Sequence, residues 1–203
     1  GRYVLPTASA HFTTAQSRTA VLSHLSAAVH HGWKVKTVPT DAWVTVRRTR
    51  RLRRGQREGI VPHWAALDPG DVKHGVTTPL RTVLDCARVL PFDEALAVAD
   101  SALRARAITR TELSDAARHL RGPGAMAVRR VAARADGRAA NPLESVLRAL
   151  CIEEGFVLTP QITITESGLY AEVDLGSEAL RLAVEADGFE THGTRRGLRK
   201  DCE

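Results

Sequence analysis

Three acidic residues near the C-terminal end of the sequence have types and spacing suited to binding a divalent cation. Glu185 and Asp187 follow the apolar run that begins at Leu180, and Asp174 lies in another strand-like run. Carboxylate oxygens are the ligands that Mg²⁺ takes from proteins, and Mn²⁺ accepts the same set. Such a cation beside basic surface is typical of phosphodiester chemistry. The leading hypothesis is therefore a metal-dependent, nuclease-like domain.

Strand alternation predicts which of these side chains share a face. It places Glu172 and Asp174 on one side of a strand and Val173 and Leu175 on the other. Asp174 and Glu185 are 11 residues apart, which suits adjacent antiparallel strands joined by a short turn. Close carboxylates repel one another unless a cation neutralises them, and this cost favours Mg²⁺ or Mn²⁺. The alternative is a solvated strand face followed by a turn at Asp187.

A helix and three strands are predicted to position the acids. Asn141 has the type of a helix cap, with Pro142 at the first helical position and Glu144 in the first turn. This helix is expected to end at Gly155, and strands are expected over 157–165, 169–175 and 180–186. A helix followed by a three-stranded meander predicts an α+β domain.

The upstream region is expected to be mostly helical. Residues 13–31 have near-helical apolar spacing that ends at Gly32, and further helices are predicted over 79–90, 92–103, 109–120 and 125–135. Strands at 42–46 and 60–64 predict a small β-hairpin. The helical pattern breaks at 135–141, so we expect two domains, 1–137 and 138–203.

A run of arginines occupies the predicted tip of that hairpin, between Trp43 and Trp64. Its members are Arg47, Arg48, Arg50, Arg51, Arg53, Arg54 and Arg57. They suit several phosphate contacts with a nucleic acid, although such contacts carry no base-specific information. The alternative is a flexible, solvated loop with two core tryptophans at its base.

Composition narrows the classes of function. A net charge of +6 and a pI of about 9.8 favour a polyanionic partner. The sequence lacks an apolar stretch of roughly 20 residues and a signal-peptide pattern, so a cytoplasmic protein is expected. Cys86, Cys151 and Cys202 are too scattered for a disulfide framework or a zinc site. Nucleotide-binding and serine-hydrolase motifs do not occur.

The C-terminal motifs resemble the Vsr-like branch of the PD-(D/E)XK nuclease superfamily, named for the very-short-patch-repair endonuclease. The resemblance rests on three segments and a histidine: 141–144, 173–175, 184–188 and His192. It implies a restriction-endonuclease-like core with catalytic acids at Glu144, Asp174 and Glu185. It also implies an acid/base or phosphate-contact role for His192. Asp187 stands where the superfamily motif has lysine, and a further strand and helix would complete the domain.

The upstream region resembles actinobacterial AbiEi-like antitoxins. The resemblance rests on three short stretches, 3–6, 23–28 and 78–85. It implies that a winged helix precedes the chain and that residues 1–6 are its last strand, so we expect a fragment cut at both ends. His24 and Asp85 are expected to be packing and capping residues.

Two functions follow as hypotheses, and the third alternative is a purely structural fragment that binds neither metal nor nucleic acid. The first is a DNA-directed, Mg²⁺-dependent endonuclease-like protein. Asp174 and Glu185 would hold the cation, and the arginine run would hold the DNA backbone. The second is a DNA-binding regulator of AbiEi antitoxin type, with an inactive nuclease-like domain and a cognate toxin as its partner.

Overall fold

The described residues form a mixed α+β structure. The computed structural model describes residues 9–166 and 169–186, which form seven α-helices and two β-sheets. The helices are α1 (Ala10–Ser17), α2 (His24–His30), α3 (Pro79–Val89), α4 (Phe92–Arg104), α5 (Arg110–His119), α6 (Ala125–Arg134) and α7 (Pro142–Glu153). The predicted α+β class is confirmed. No helix among the described residues is long and apolar enough to cross a membrane.

Five short strands form the first sheet, in the order β3-β2-β1-β5-β4. They are β1 (Val21–Leu22), β2 (Ala42–Val46), β3 (Ile60–Trp64), β4 (Val72–Lys73) and β5 (Val76–Thr77). β1 pairs antiparallel with β2 and parallel with β5, and β4 closes the edge as the antiparallel partner of β5. The sheet is therefore mixed, and α1 and α2 pack against it.

The predicted hairpin between β2 and β3 is wrong, because these two strands run parallel. Ala42 pairs with Ile60 at one end and Val46 with Trp64 at the other. Parallel neighbours need a crossover of about a dozen residues, so the connecting segment returns along the strands instead of turning at their tip. We call this segment, residues 47–59, the arginine strap.

The predicted single helix over residues 13–31 is also wrong. α1 begins after Ser9, whose side chain accepts a hydrogen bond from the Phe12 amide, and ends at Ser17. Left-handed backbone at Thr19 and His24 then separates α1, β1 and α2. The spacing looked helical because buried alanines and leucines face the core from all three short elements. Gly32, at a φ of +80°, does follow the end of α2, as predicted.

The helices from α3 to α6 follow the apolar spacing and form the main core. Leu96, Leu113 and Val128 are fully buried there with residues of α2 and α3. The predicted capping box at the start of α5 is confirmed, with Thr109 and Glu112 each accepting from the other's backbone amide.

The last described elements are α7 and a second sheet. Asn141 caps α7 as predicted, and its side chain accepts from the Leu143 and Glu144 amides. The second sheet is the predicted antiparallel meander, in the order β6-β7-β8. Its strands are β6 (Thr159–Glu166), β7 (Leu169–Ser177) and β8 (Leu182–Val184).

α7 packs on α4, across the predicted boundary between residues 137 and 138. Ala149 is buried in the main helical core, and Arg148 forms a buried ion pair with Asp100 of α4. Arg148 also donates to the Arg134 carbonyl, and Asp100 accepts from the Asp136 amide. These contacts anchor α7, and with it Glu144, to the helical layer. The two-domain division itself stays a prediction.

Candidate catalytic centre and nucleic-acid surface

Two of the predicted acids meet at a shared side chain. The amide nitrogen of Gln161 lies 3.0 Å from Glu144 Oε2 and 3.3 Å from Asp174 Oδ1, and it donates to both. The first turn of α7, strand β6 and strand β7 each supply one of the three residues. The structure therefore brings Glu144 and Asp174 to one place.

Glu144 is held at the base of this cluster. Its side chain is only 2% exposed. Besides Gln161, it accepts from the Ala140 backbone amide at 2.7 Å and from the Asn141 side chain at 2.6 Å. Three donors at the N-terminus of a helix stabilise a buried carboxylate without a metal. The geometry makes Glu144 the residue that orients Gln161.

Gln161 is the site residue that the sequence reasoning missed. Its φ of +51° is left-handed, which is unusual for a side-chain-bearing residue within a strand. Pro160 pairs with Leu175 and Ile162 with Val173, so Gln161 lies across from Asp174. Such backbone costs on the order of 1–3 kcal/mol and is often found at functional sites. The only signal in the sequence is a long polar side chain next to Pro160 in a β-branched run.

Asp174 lies in β7, and Glu185 directly follows the neighbouring strand β8. Leu175 pairs with Val184, so one further step of the same register would set Asp174 opposite Glu185. Directly opposed residues of an antiparallel pair share a face, with Cβ atoms about 5 Å apart. The carboxylate of Asp174 also reaches the segment that follows β8, where Oδ2 accepts from the Ala186 amide at 2.8 Å.

The predicted alternation along β7 is confirmed. Val173 and Leu175 are buried, whereas Glu172 is exposed and Asp174 is half-buried. The acids therefore occupy the more accessible face, where a cation and a phosphate could approach.

The described residues supply two carboxylates to a possible metal site. Within residues 9–166 and 169–186, no three His, Cys, Asp or Glu side chains are grouped so that they could hold a metal ion. Asp187 and His192 lie outside the described residues. Mg²⁺ typically keeps several waters and takes one or two protein carboxylates, so Asp174 and Glu185 fit the expected Mg²⁺ or Mn²⁺ in number and in type.

The arginine strap is attached to the first sheet at several points. Leu52 is buried in the same hydrophobic cluster as Val44 and Val46 of β2. Arg50 donates to the Thr19 carbonyl at 2.7 Å, and its own carbonyl accepts from Trp64 Nε1 at 2.8 Å. The strap is thus an anchored crossover whose backbone course is fixed by the sheet beneath it.

Most of the strap's arginines remain available to a ligand. All except the partly buried Arg50 are exposed, and none of the seven pairs with a carboxylate of the described residues. A cavity of about 1170 Å³ lies beside the strap and is lined by Arg47, Arg48 and Arg50. This concentration of unneutralised charge is suited to phosphate groups.

His24 of α2 stacks on His63 of β3, next to Trp43 of β2. The rings of His24 and His63 are 3.8 Å apart between centroids, and Trp43 lies 5.0 Å from His63. His24 is 4% exposed, and its Nδ1 lies 2.8 Å from Ser23 Oγ. Burial, then the nearby His63 and Arg81, hold the pKa of His24 well below its usual value. His24 is therefore a packing residue, as expected.

Asp85, the other residue of the antitoxin-like stretches that we singled out, is buried in α3 beside Arg81. Arg81 Nε donates to Asp85 Oδ1 at 2.9 Å, and Arg81 also pairs with Asp71. Asp85 therefore helps to hold Arg81, which ties α3 to the segment before β4.

Comparisons with known proteins place the chain beside two mycobacterial sequences. No family model and no solved structure matches it. It is 34% identical over 129 residues to the uncharacterized proteins MT2308 and Rv2248, from two strains of Mycobacterium tuberculosis. The match covers 62% of this chain and 47% of each relative, so the chain spans less than half of the length of these curated relatives. It is similar to proteins whose names state no activity.

Proposed function

We propose that the chain belongs to a DNA-directed, Mg²⁺-dependent endonuclease-like protein. The observation that carries the proposal is the convergence of Glu144, Gln161 and Asp174, next to the backbone of Ala186. The left-handed backbone of Gln161, between two acids, has a cost in stability, and such backbone is often found at functional sites. A role in positioning a reactive carboxylate accounts for that cost.

Each residue has a distinct role in this proposal. Asp174 and Glu185 would hold the cation from opposed strand positions, and Gln161 would fix the orientation of Asp174. A bound Mg²⁺ would polarise a phosphoryl oxygen and lower the pKa of a coordinated water. Glu144 keeps Gln161 in place through the hydrogen bond at 3.0 Å. Asp187 and His192 remain candidates for orienting the water or contacting the phosphate.

The arginine strap would contribute affinity and no sequence preference. Guanidinium groups that contact phosphates position a nucleic acid, whereas sequence is read at the base edges. The strap connects two strands of the first sheet, whereas Asp174 lies in the second sheet and Glu144 in α7. The proposal therefore assigns binding and cleavage to different parts of the chain.

A cleavage assay tests the catalytic proposal. The unsubstituted protein, which we call the parent, is incubated with plasmid and with mismatched duplex DNA. Each reaction contains Mg²⁺, Mn²⁺ or, as the metal-free condition, EDTA. We expect metal-dependent cleavage that Asp174→Asn or Glu185→Gln lowers by at least about a hundredfold, because each removes a charged ligand. The matched control is Glu178→Gln, an exposed acid in the turn before β8, which should cleave as the parent does. Equal cleavage by all variants would contradict the proposal.

The second candidate is a DNA-binding regulator of AbiEi antitoxin type, with a cognate toxin as its partner. Two observations favour it: the described residues contain no three-ligand metal group, and Glu144 is already satisfied by three donors. A regulator would shift DNA in a gel without metal and would leave it uncut in Mg²⁺ and Mn²⁺. The same assay therefore separates the two functions.

A further inference from the structure

We infer that the arginine strap and Trp64 form a binding surface for single-stranded nucleic acid, with Trp64 as the platform on which one base stacks. The inference rests on the proposed function for the class of ligand, a nucleic acid. It adds that this surface prefers single strands to duplexes. It does not depend on the metal site, so binding and cleavage can be tested separately.

Trp64 differs from the other two tryptophans in its surroundings. It is 41% exposed, whereas Trp33 is 4% exposed and Trp43 is half-buried in the main core. No aromatic ring among the described residues stacks on it. Its Nε1 donates to the Arg50 carbonyl, so the ring is fixed by the strap although much of it faces solvent. An exposed but oriented indole is the group on which unpaired bases stack.

The charges around Trp64 match a phosphate backbone. The guanidinium carbon of Arg57 lies over the Trp64 ring, 5.6 Å from its centroid. A guanidinium in this position interacts with the ring and still has donors for a phosphate. Arg53 and Arg54 are exposed in the same strap. The phosphates that flank a stacked base would therefore lie near these guanidinium groups.

The strap is long enough for several nucleotides. It runs alongside strands of five residues, a distance of about 16 Å at 3.3 Å per residue. Arg47 and Arg48 lie near the end of β2, where they line the cavity of about 1170 Å³ together with His74. Single-stranded binding sites combine a basic track with aromatic platforms in this way.

An intact duplex would use only part of this surface. Its bases are paired and stacked on one another, so none is free to cover Trp64 unless it is flipped out at a cost of a few kcal/mol. Phosphate contacts alone would give a duplex the strap's electrostatic affinity. The exposed ring therefore favours single strands over duplexes of the same length.

Binding is measured by fluorescence anisotropy with a labelled oligothymidylate of about 12 nucleotides, within the usual range of site sizes. EDTA is present throughout, so cleavage plays no part. We expect the single strand to bind more tightly than the matching duplex, and Trp64→Ala to weaken its binding by about tenfold. Arg48→Ala and Arg54→Ala should each lower the salt dependence, log K against log salt, by about 0.7. Arg118→Ala, an exposed charge on α5, is the matched control and should leave that slope almost unchanged.

Trp64→Phe separates stacking from the structural role of the indole nitrogen. Phenylalanine keeps a ring for the base but loses the hydrogen bond to Arg50, so it should retain most of the single-strand affinity. Equal losses in Trp64→Phe and Trp64→Ala would overturn the inference, because the hydrogen bond would then explain them. Tighter binding of the duplex would also overturn it. Loss of cleavage with intact binding in EDTA would count against the proposed function alone.

Discussion

At the scale of single residues, the candidate centre depends on Gln161, a side chain whose role the sequence does not indicate. Local patterns predicted a strand at Asp174 and a first helical turn at Glu144, and the family resemblance alone assigned Glu144 to the site. Gln161 was not predictable, because its role comes from a left-handed backbone at φ +51° that points one amide at two carboxylates. The residues around Gln161 in the sequence do not indicate this left-handed backbone.

The substitution Gln161→Glu tests this role. A third carboxylate would replace the amide donor between Glu144 and Asp174, so repulsion and a lost hydrogen bond should lower the free energy of unfolding by about 2 kcal/mol at pH 8. The loss should shrink at pH 5, because repulsion raises the pKa of the introduced carboxyl and it becomes protonated. Urea unfolding at both pH values measures the difference. Gln161→Asn is the control, and an equal, pH-independent loss in both variants would contradict the expected repulsion.

At the scale of elements, predictions succeeded where a local signal fixes the structure. Caps and apolar spacing located α3 to α7, since Thr109 with Glu112 and Asn141 with Pro142 act within one turn. They failed where partners lie far apart in the chain. The length of the 13-residue strap is compatible with an antiparallel loop or a parallel crossover, and only the pairing of β2 with β3 in the folded chain shows the crossover.

The packing of α2 against β2 and β3 predicts a dependence of stability on pH. The pKa of His24 is lowered by burial, by His63 and by Arg81, and burial lowers the pKa of His63 as well. The unfolded chain therefore binds more protons than the folded chain once the pH falls below the unfolded histidine value of about 6.5. Stability should be complete above that pH and should fall below it, by at most about 1.4 kcal/mol per pH unit for each histidine.

Chemical unfolding between pH 7.5 and 5 measures this dependence. His24→Asn is the informative variant, because asparagine tolerates the left-handed backbone at φ +50° and does not titrate. Its stability should change less with pH than that of the parent. An unchanged slope would assign the effect to other groups.

At the scale of the whole molecule, the second sheet is tied to the helical layer through α7. The buried pair of Asp100 and Arg148 joins α4 to α7, and each partner also holds a backbone group between residues 134 and 136. The sequence indicated a break near 135–141 because its residues suit a loop. It gave no sign that the helix after the loop packs back onto α4, since a charged residue such as Arg148 reads as solvent-exposed.

Removing one member of this pair should destabilise the protein. Asp100→Ala leaves the Arg148 charge buried, so we expect the free energy of unfolding to fall by about 3–5 kcal/mol. The double variant Asp100→Leu with Arg148→Met removes both charges and should recover much of the loss. Thermal unfolding of the parent, the single and the double variant measures this. Additive losses in the double variant would show that the two charges do not compensate each other.

The packing of α7 on α4 also determines where the C-terminal part of this chain can be cut for fusion to another protein. A recombinant piece starting at residue 138 would carry Arg148 and Ala149 away from the surface that covers them. Its guanidinium would lose Asp100, and the apolar side of its first helix would face water. Gene fusions that include α7 and the second sheet should therefore include α4 as well, because a fusion protein without α4 would tend to aggregate.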